Sequence, residues 1–189
     1  MNEQLFRGEL VRLTAFDVEK DAETESRWTH HAEFSRLAFA EPAKPLSPVT
    51  VKKKYDDEKE KERNRYRFAI RTLADDRLIG FIALNWIEWN NGAAFLSLGI
   101  ADAAERGKGY AREALRLILR YAFAELNLFR LSAVTASYNE RAIEFLQRAG
   151  FQAEVCRREA FHRDGKRWDA VGLGMLREEW KAENAERQA

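Results

Sequence analysis

The sequence predicts a mixed α/β (α+β) fold: a single domain whose mainly antiparallel sheet is flanked by helices. Three observations carry this expectation. Strand-like and helix-like periods follow one another in the order β, α, α, β, β, β, α, β, α, β, β. Two turn signals, Asp75-Asp76 and Asp164-Gly165, join neighbouring apolar runs into antiparallel hairpins. The 189 residues, 46% hydrophobic and 33% charged with only 3 prolines and 10 glycines, suit one well-shielded core. The domain is placed at residues 1–183, and the polar segment 184–189 is expected to fray.

Each element has a local reason. Glu9 to Leu13 alternates charged and apolar side chains, the period of a half-buried strand. Phe16 to Leu37, rich in Glu, Ala and Arg, fits one or two short helices ended by Pro42, Pro45 and Pro48. From Lys52 to Arg67, 13 of 16 residues are charged with signs interspersed, which reads as an exposed helix. Arg67–Arg71 and Leu78–Leu84 make the first hairpin, and Asn90-Asn91-Gly92 turns the chain again. The nearly wholly apolar run Ala93–Ile100 predicts a strand buried on both faces. Apolar residues at 111, 115, 118, 122 and 126 mark one face of an amphipathic helix. Phe129–Ala136 follows as a strand. Ser137–Ala149 follows as a helix with the capping-box pair Ser137 and Glu140, stopped by Gly150. Ala153–His162 and Arg167–Met175 close the domain as a hairpin.

Composition excludes several functions. The 32 Lys and Arg against 31 Asp and Glu leave a net charge of +1, so no global field favours nucleic acid or another polyanion. Within Lys52–Arg67, five acidic residues interrupt eight basic ones. One cysteine, Cys156, excludes an internal disulfide, and with three scattered histidines it offers no clustered metal ligands. The opening MNEQLFRGELVRL lacks the apolar stretch of a signal peptide. No run approaches the roughly 20 apolar residues that span a bilayer, so a soluble, cytoplasmic protein without a membrane partner is expected.

Chemistry concentrates between the apolar strand and the amphipathic helix, at Arg106-Gly107-Lys108-Gly109-Tyr110-Ala111. Two glycines permit a tight turn and close backbone approach, and the amides of the following helix attract a phosphate. Arg106 and Lys108 add positive charge, so the loop reads as a pyrophosphate cradle. It is not a P-loop, because Gly109 rather than Ser or Thr follows Lys108. Nor is it a dinucleotide fingerprint, which needs a small residue where Arg112 stands.

The loop resembles the acetyl-CoA motif of the GNAT superfamily of N-acetyltransferases (Gln or Arg, any two, Gly, any, Gly or Ala) at every fixed position. The likeness continues in order through Glu113-Ala114, Tyr121-Ala122-Phe123, Leu126-Asn127-Leu128, Asn139 and Ala149-Gly150-Phe151, then the Asp164-Gly165 hairpin, Asp169 and Glu179-Trp180. That set resembles the branch holding ribosomal-protein N-terminal acetyltransferases and spermidine acetyltransferases. The resemblance implies central strands that splay to admit the pantetheine arm. Leu98, Gly99 and Ile100 would then hydrogen-bond pantetheine, the amides of Gly107 to Ala111 would hold the pyrophosphate, and Asn139 would touch the arm. It also implies acetyl-CoA as acyl donor, no metal, a primary amine acceptor (a protein N-terminus or a small amine), and a homodimer.

Direct acyl transfer needs a neutral amine, donors for the oxyanion and protonation of the leaving thiolate. The tyrosine that many relatives place seven residues after the Asn is Leu146 here, and the serine that some place three after it is Ala142. Tyr138 is therefore nominated as acid. Ser137 is expected to be a helix cap. Glu88 is nominated as base, flanked by Trp86 and Trp89, which with Trp28 could wall an acceptor pocket. His30 and His31 are expected to be structural, and Cys156 a small buried hydrophobe. Leu146 and Ala142 also motivate the alternative, a CoA-binding sensor or regulatory module without catalysis.

Overall fold

The computed structural model describes residues 4–59 and 62–188. Its strands are β1 (Val11–Thr14), β2 (Tyr66–Thr72), β3 (Leu78–Glu88), β4 (Ala93–Ile100), β5 (Arg130–Ala136), β6 (Gln152–Arg163) and β7 (Lys166–Leu176). The helices are α1 (Val18–Thr29), α2 (Ala32–Ala38), α3 (Pro48–Lys59), α4 (Tyr110–Arg120), α5 (Glu140–Arg148) and α6 (Arg177–Gln188). The strands form one sheet in the order β1-β2-β3-β4-β5-β7-β6. Every neighbouring pair is antiparallel except β4 with β5.

Turn chemistry sets the antiparallel registers. At the β6–β7 hairpin, Asp164 and Gly165 both have positive φ (51° and 73°), the twist that matches two right-handed strands. The parallel pair needs a crossover, and α4 supplies it by packing against β1, β3 and β4. Its inward face carries the predicted Leu115, Ile118 and Ala122, widened by Ala114, Leu117 and Phe123. The helix widens at its end into a π turn, Tyr121–Glu125, in which the Leu126 amide donates to the Tyr121 carbonyl.

The opposite face of β3 presents Phe81 to a second cluster with Trp28, Phe34 and Ala101. Charge anchors α1 here. Asp21 and Glu25, one helical turn apart, face β2, where Asp21 pairs with Arg71 at 2.7 Å and Glu25 pairs with Arg67. Arg67 also lies over the rings of Phe16, Tyr55 and Phe81, which replace part of its lost hydration.

Four expectations change. The charged stretch is α-helical as far as Lys59, within α3, makes a short 3-10 turn at Glu62–Asn64, and gives its last two residues, Tyr66 and Arg67, to β2. After β7, where the periodicity assigned no element, the chain forms α6. The helix after β5 starts at Glu140, and Asn139 rather than Ser137 is its cap, with Oδ1 accepting the Ala142 amide at 3.4 Å. Ser137 Oγ instead accepts the Asp169 amide of β7 at 3.1 Å. Finally, β4 is not buried on both faces: Phe95 is exposed and Ser97 to Gly99 are half-buried, because β5 departs there.

Candidate active site

Pairing of β4 with β5 stops after three positions, Ala93 with Arg130, Ala94 with Leu131 and Phe95 with Ser132. Beyond them β4 stays bonded to β3 as far as Ile100, and β5 stays bonded to β7 as far as Ala136. The two strands therefore diverge while each remains rigid on its outer side. The inner edge of β4, which includes Leu98, Gly99 and Ile100, lies without a strand partner among the described residues. A backbone edge of this kind can take an extended ligand as though it were a strand.

The glycine loop lies at the end of β4. Gly107 (φ 82°) and Gly109 (φ 90°) are left-handed, and Gly109 is the N-cap of α4 without any side-chain cap. The first-turn amides of Tyr110 and Ala111 thus remain for a ligand. A cavity of about 200 Å³ lies beside them, lined by Ile100, Gly107, Gly109, Ala111 and Phe145 among others. Tyr110 packs on the main core.

The two basic side chains of the loop are committed elsewhere. Arg106 pairs with Glu33 of α2 at 2.8 Å and donates from Nε to the Ile100 carbonyl at 3.2 Å. It ties the loop to β4 and α2 more than it adds free charge. Lys108 contacts buried Glu105 at 2.9 Å, and Arg77 reaches the same carboxylate at 3.1 Å. The Lys108 hydrogen bond, then that of Arg77, holds the Glu105 carboxyl below its usual range. Phosphate attraction therefore rests mainly on the amides and the helix end.

On the opposite side, the gap between β4 and β5 opens into a groove of about 1480 Å³. Leu96 and Ser97 of β4 and Val134 to Ala136 of β5 line its floor, and α1, α2, α3 and β6 supply walls. Tyr138 lies at this groove, packed edge-on against Trp168 with its hydroxyl donating to the Arg36 carbonyl at 2.9 Å. Asn139 Nδ2 donates to the Leu37 carbonyl at 3.3 Å. Tyr138 and Asn139 thus both fasten α2 to the end of β5.

Glu88 is not brought to the groove. A bulge between Asn85 and Glu88, with Trp86 at φ 47°, leaves its carboxylate exposed at the turn, accepting from Asn91 at 2.8 Å. Glu88→Gln is expected to keep kcat and KM within twofold of the parent; a large loss of kcat would restore it as base. Trp86 and Trp28 do line the groove, the former 73% exposed and the latter buried, whereas Trp89 packs against Tyr66 and donates to the Arg63 carbonyl. Leu146 is a core residue. His30 and His31 are exposed at the ends of α1 and α2.

Cys156 is exposed on β6 rather than buried, and its contact with Asp169 raises the thiol pKa, which keeps it a poor nucleophile. Among the described residues, no group of three His, Cys, Asp or Glu side chains could hold a metal, and no helix is long and apolar enough to cross a membrane.

Glu113 has a structural part that sequence pattern did not show. Its carboxylate accepts the amides of Glu9, Leu10 and Val11 at 2.8, 2.7 and 2.7 Å, clamping the start of β1 onto the first turn of α4. No periodicity signals such a contact across about a hundred residues.

A split sheet with an amide-lined loop on one side and a deep groove on the other lets an activated acyl donor and its acceptor meet from opposite directions, as an acyltransferase requires. The acetyltransferase (GNAT) domain family matches residues 11–152, and the chain belongs to that family. It is 37% identical over 123 residues to the probable N-acetyltransferase YjcK of Bacillus subtilis (strain 168), covering 65% of this chain and 67% of that one. It is also 30% identical over 79 residues to the spermidine N(1)-acetyltransferase of Escherichia coli (strain K12), 42% of either chain. In fold it is similar to a spermidine N-acetyltransferase from Vibrio cholerae in complex with CoA and spermine, with TM-score 0.81 and 23% identity over 90% of this chain and 98% of that one. The protein is an N-acetyltransferase that uses acetyl-CoA as acyl donor and an amine as acceptor.

Proposed function

We propose that the acceptor is the α-amino group of a polypeptide and that the reaction takes place in the cytoplasm. The observation that carries this reading is the groove of about 1480 Å³, open to solvent and leading to the split between β4 and β5. A small amine needs only a closed pocket, whereas a groove accommodates several residues of an extended chain. A candidate ribosomal N-acetyltransferase, YdaF of Bacillus subtilis (strain 168), is 34% identical over 111 residues, 59% of this chain and 60% of that one.

The proton inventory agrees. Of the two carboxylates lining the groove, Glu25 is occupied by Arg67 and by the Tyr55 hydroxyl at 2.5 Å, which leaves Glu41. An α-amine, with a pKa of about 7.7–8.0, is partly neutral near pH 7.5 and needs little help from a base. An alkyl amine near 10.4 needs far more. Solvent in the open groove can take the α-amine proton.

In this reading the arm of acetyl-CoA pairs with Leu98, Gly99 and Ile100, and the amides of Gly107 to Ala111 hold its diphosphate. Acetyl-CoA supplies the activated acyl group. Arg106 and Lys108 brace the cradle, Tyr110 anchors it to the core, and Asn139 orients the arm where α5 begins. The Tyr138 hydroxyl, released from the Arg36 carbonyl, protonates the departing thiolate. Tyr138→Phe is expected to lower kcat at least tenfold with the CoA dissociation constant within twofold; an unchanged kcat would remove the acid role.

The test of the acceptor is thiol release from acetyl-CoA with three amines: peptides with free α-amines, the same peptides blocked at the N-terminus but containing lysine, and spermidine. Turnover confined to free α-amines supports the reading. Turnover of spermidine alone overturns it. We further propose a homodimer, on family resemblance, to be seen in sedimentation as twice the 21.9 kDa chain mass.

A further inference from the structure

We infer that the acceptor groove selects polypeptides whose first residues after the reactive α-amine carry carboxylates. This rests on the peptide reading above and adds a sequence preference to it. Among the described residues, eight arginines and lysines line the groove against two glutamates. The whole chain carries only +1, so the excess is a local concentration of charge.

Internal pairing does not remove it. Glu25 neutralises Arg67, and Arg36 is paired with Asp164 at 3.1 Å in an exposed contact. Glu41 is then the one lining carboxylate facing Lys44, Lys54, Arg157 and Arg163. Arg163 donates to the carbonyls of His162 at 2.9 Å, Ala40 at 2.5 Å and Glu41 at 3.2 Å. These dipoles orient the guanidinium without cancelling its charge. Arg157 is exposed on β6, and no described carboxylate lies within salt-bridge distance of it.

A guanidinium held by carbonyls beside a solvent-open groove suits a carboxylate, which arginine takes in paired hydrogen bonds. The same walls repel a polycation, so like charge acts as the discriminating element against basic peptides and polyamines. The field also disfavours the ammonium form of the incoming amine, which works in the direction of reaction. The charged run Lys52–Arg67 supplies only half of these cations, Lys54, Arg63, Arg65 and Arg67; the others come from α2, from the segment after it and from β6, so no one stretch of sequence marks the surface.

The experiment compares kcat/KM for three peptides of equal length and the same first residue, followed by acidic, neutral or basic residues. Free aspartate and spermidine serve as further acceptors. At least tenfold preference for the acidic over the neutral peptide is expected, about 1.4 kcal/mol, with the basic peptide slower still and the preference shrinking in high salt.

Arg157→Glu is expected to lower kcat/KM for the acidic peptide at least tenfold and to raise it for the basic one, with CoA-induced thermal stabilisation retained as proof of folding. Arg163→Gln should lower the acidic preference as well. Equal kcat/KM for the three peptides would overturn the inference while leaving peptide acetylation standing. Turnover confined to spermidine or free aspartate would overturn the peptide reading itself.

Discussion

Gly109→Val is expected to weaken CoA binding at least a hundredfold while the domain remains folded. At φ 90° a β-branched residue is strained, and a Cβ at this position would stand 3.2 Å from Leu10 Cδ1. Relief comes by rotating the turn, which swings the amides of Tyr110 and Ala111 away from the phosphate. Each hydrogen bond to a charged group contributes about 1.5–3 kcal/mol, so losing one or two accounts for the hundredfold, about 2.7 kcal/mol. Gly107→Ala gives a smaller loss, since no atom lies within 4 Å of its added Cβ and only the strain at φ 82° remains. Calorimetric titration with CoA checks both. Parental affinity in Gly109→Val would mean that the amide cradle does not hold the diphosphate.

Glu113→Ala should cost about 3 kcal/mol of stability, a fall in Tm of about 6–12 °C for a chain of this size. Its carboxylate satisfies three backbone amides, and Val11 among them is fully buried, so removal leaves a donor that water cannot easily reach. Gly8 permits the contact, because a Cβ there would lie 2.2 Å from the Glu113 carboxyl carbon. Glu113→Gln should be intermediate, since its amide nitrogen would face an N–H that now meets an oxygen. Faster hydrogen exchange at Glu9 to Val11, together with weaker CoA binding, would place the clamp upstream of the loop. Parental stability in Glu113→Ala would show that solvent replaces the carboxylate.

Local features of the chain were legible. The left-handed turn at Asp164-Gly165, the Gly150 stop at φ 94° and the buried face of α4 each follow from a few consecutive residues, whose own φ preferences and periodicity decide the outcome. The glycine loop was legible for the same reason. Features that depend on a distant partner were not. Ser137 and Asn139 are both good cap residues, and the choice of Asn139 followed from Asp169 of β7 engaging Ser137. Glu88 had the right chemistry and was carried away by a bulge. Arg106 looked like loop charge until Glu33, 73 positions away, paired with it.

The order of residues by itself determined most element types up to β7, the antiparallel hairpins and a loop able to present bare amides, because these depend on torsions and on neighbours within a few positions. Only the tertiary structure decided where β4 and β5 part, which carboxylates cancel which cations, and that a chain of net +1 concentrates its positive charge around one groove. Coulomb's law acts through space rather than along the chain, so a sum over the sequence cannot show where the charge lies.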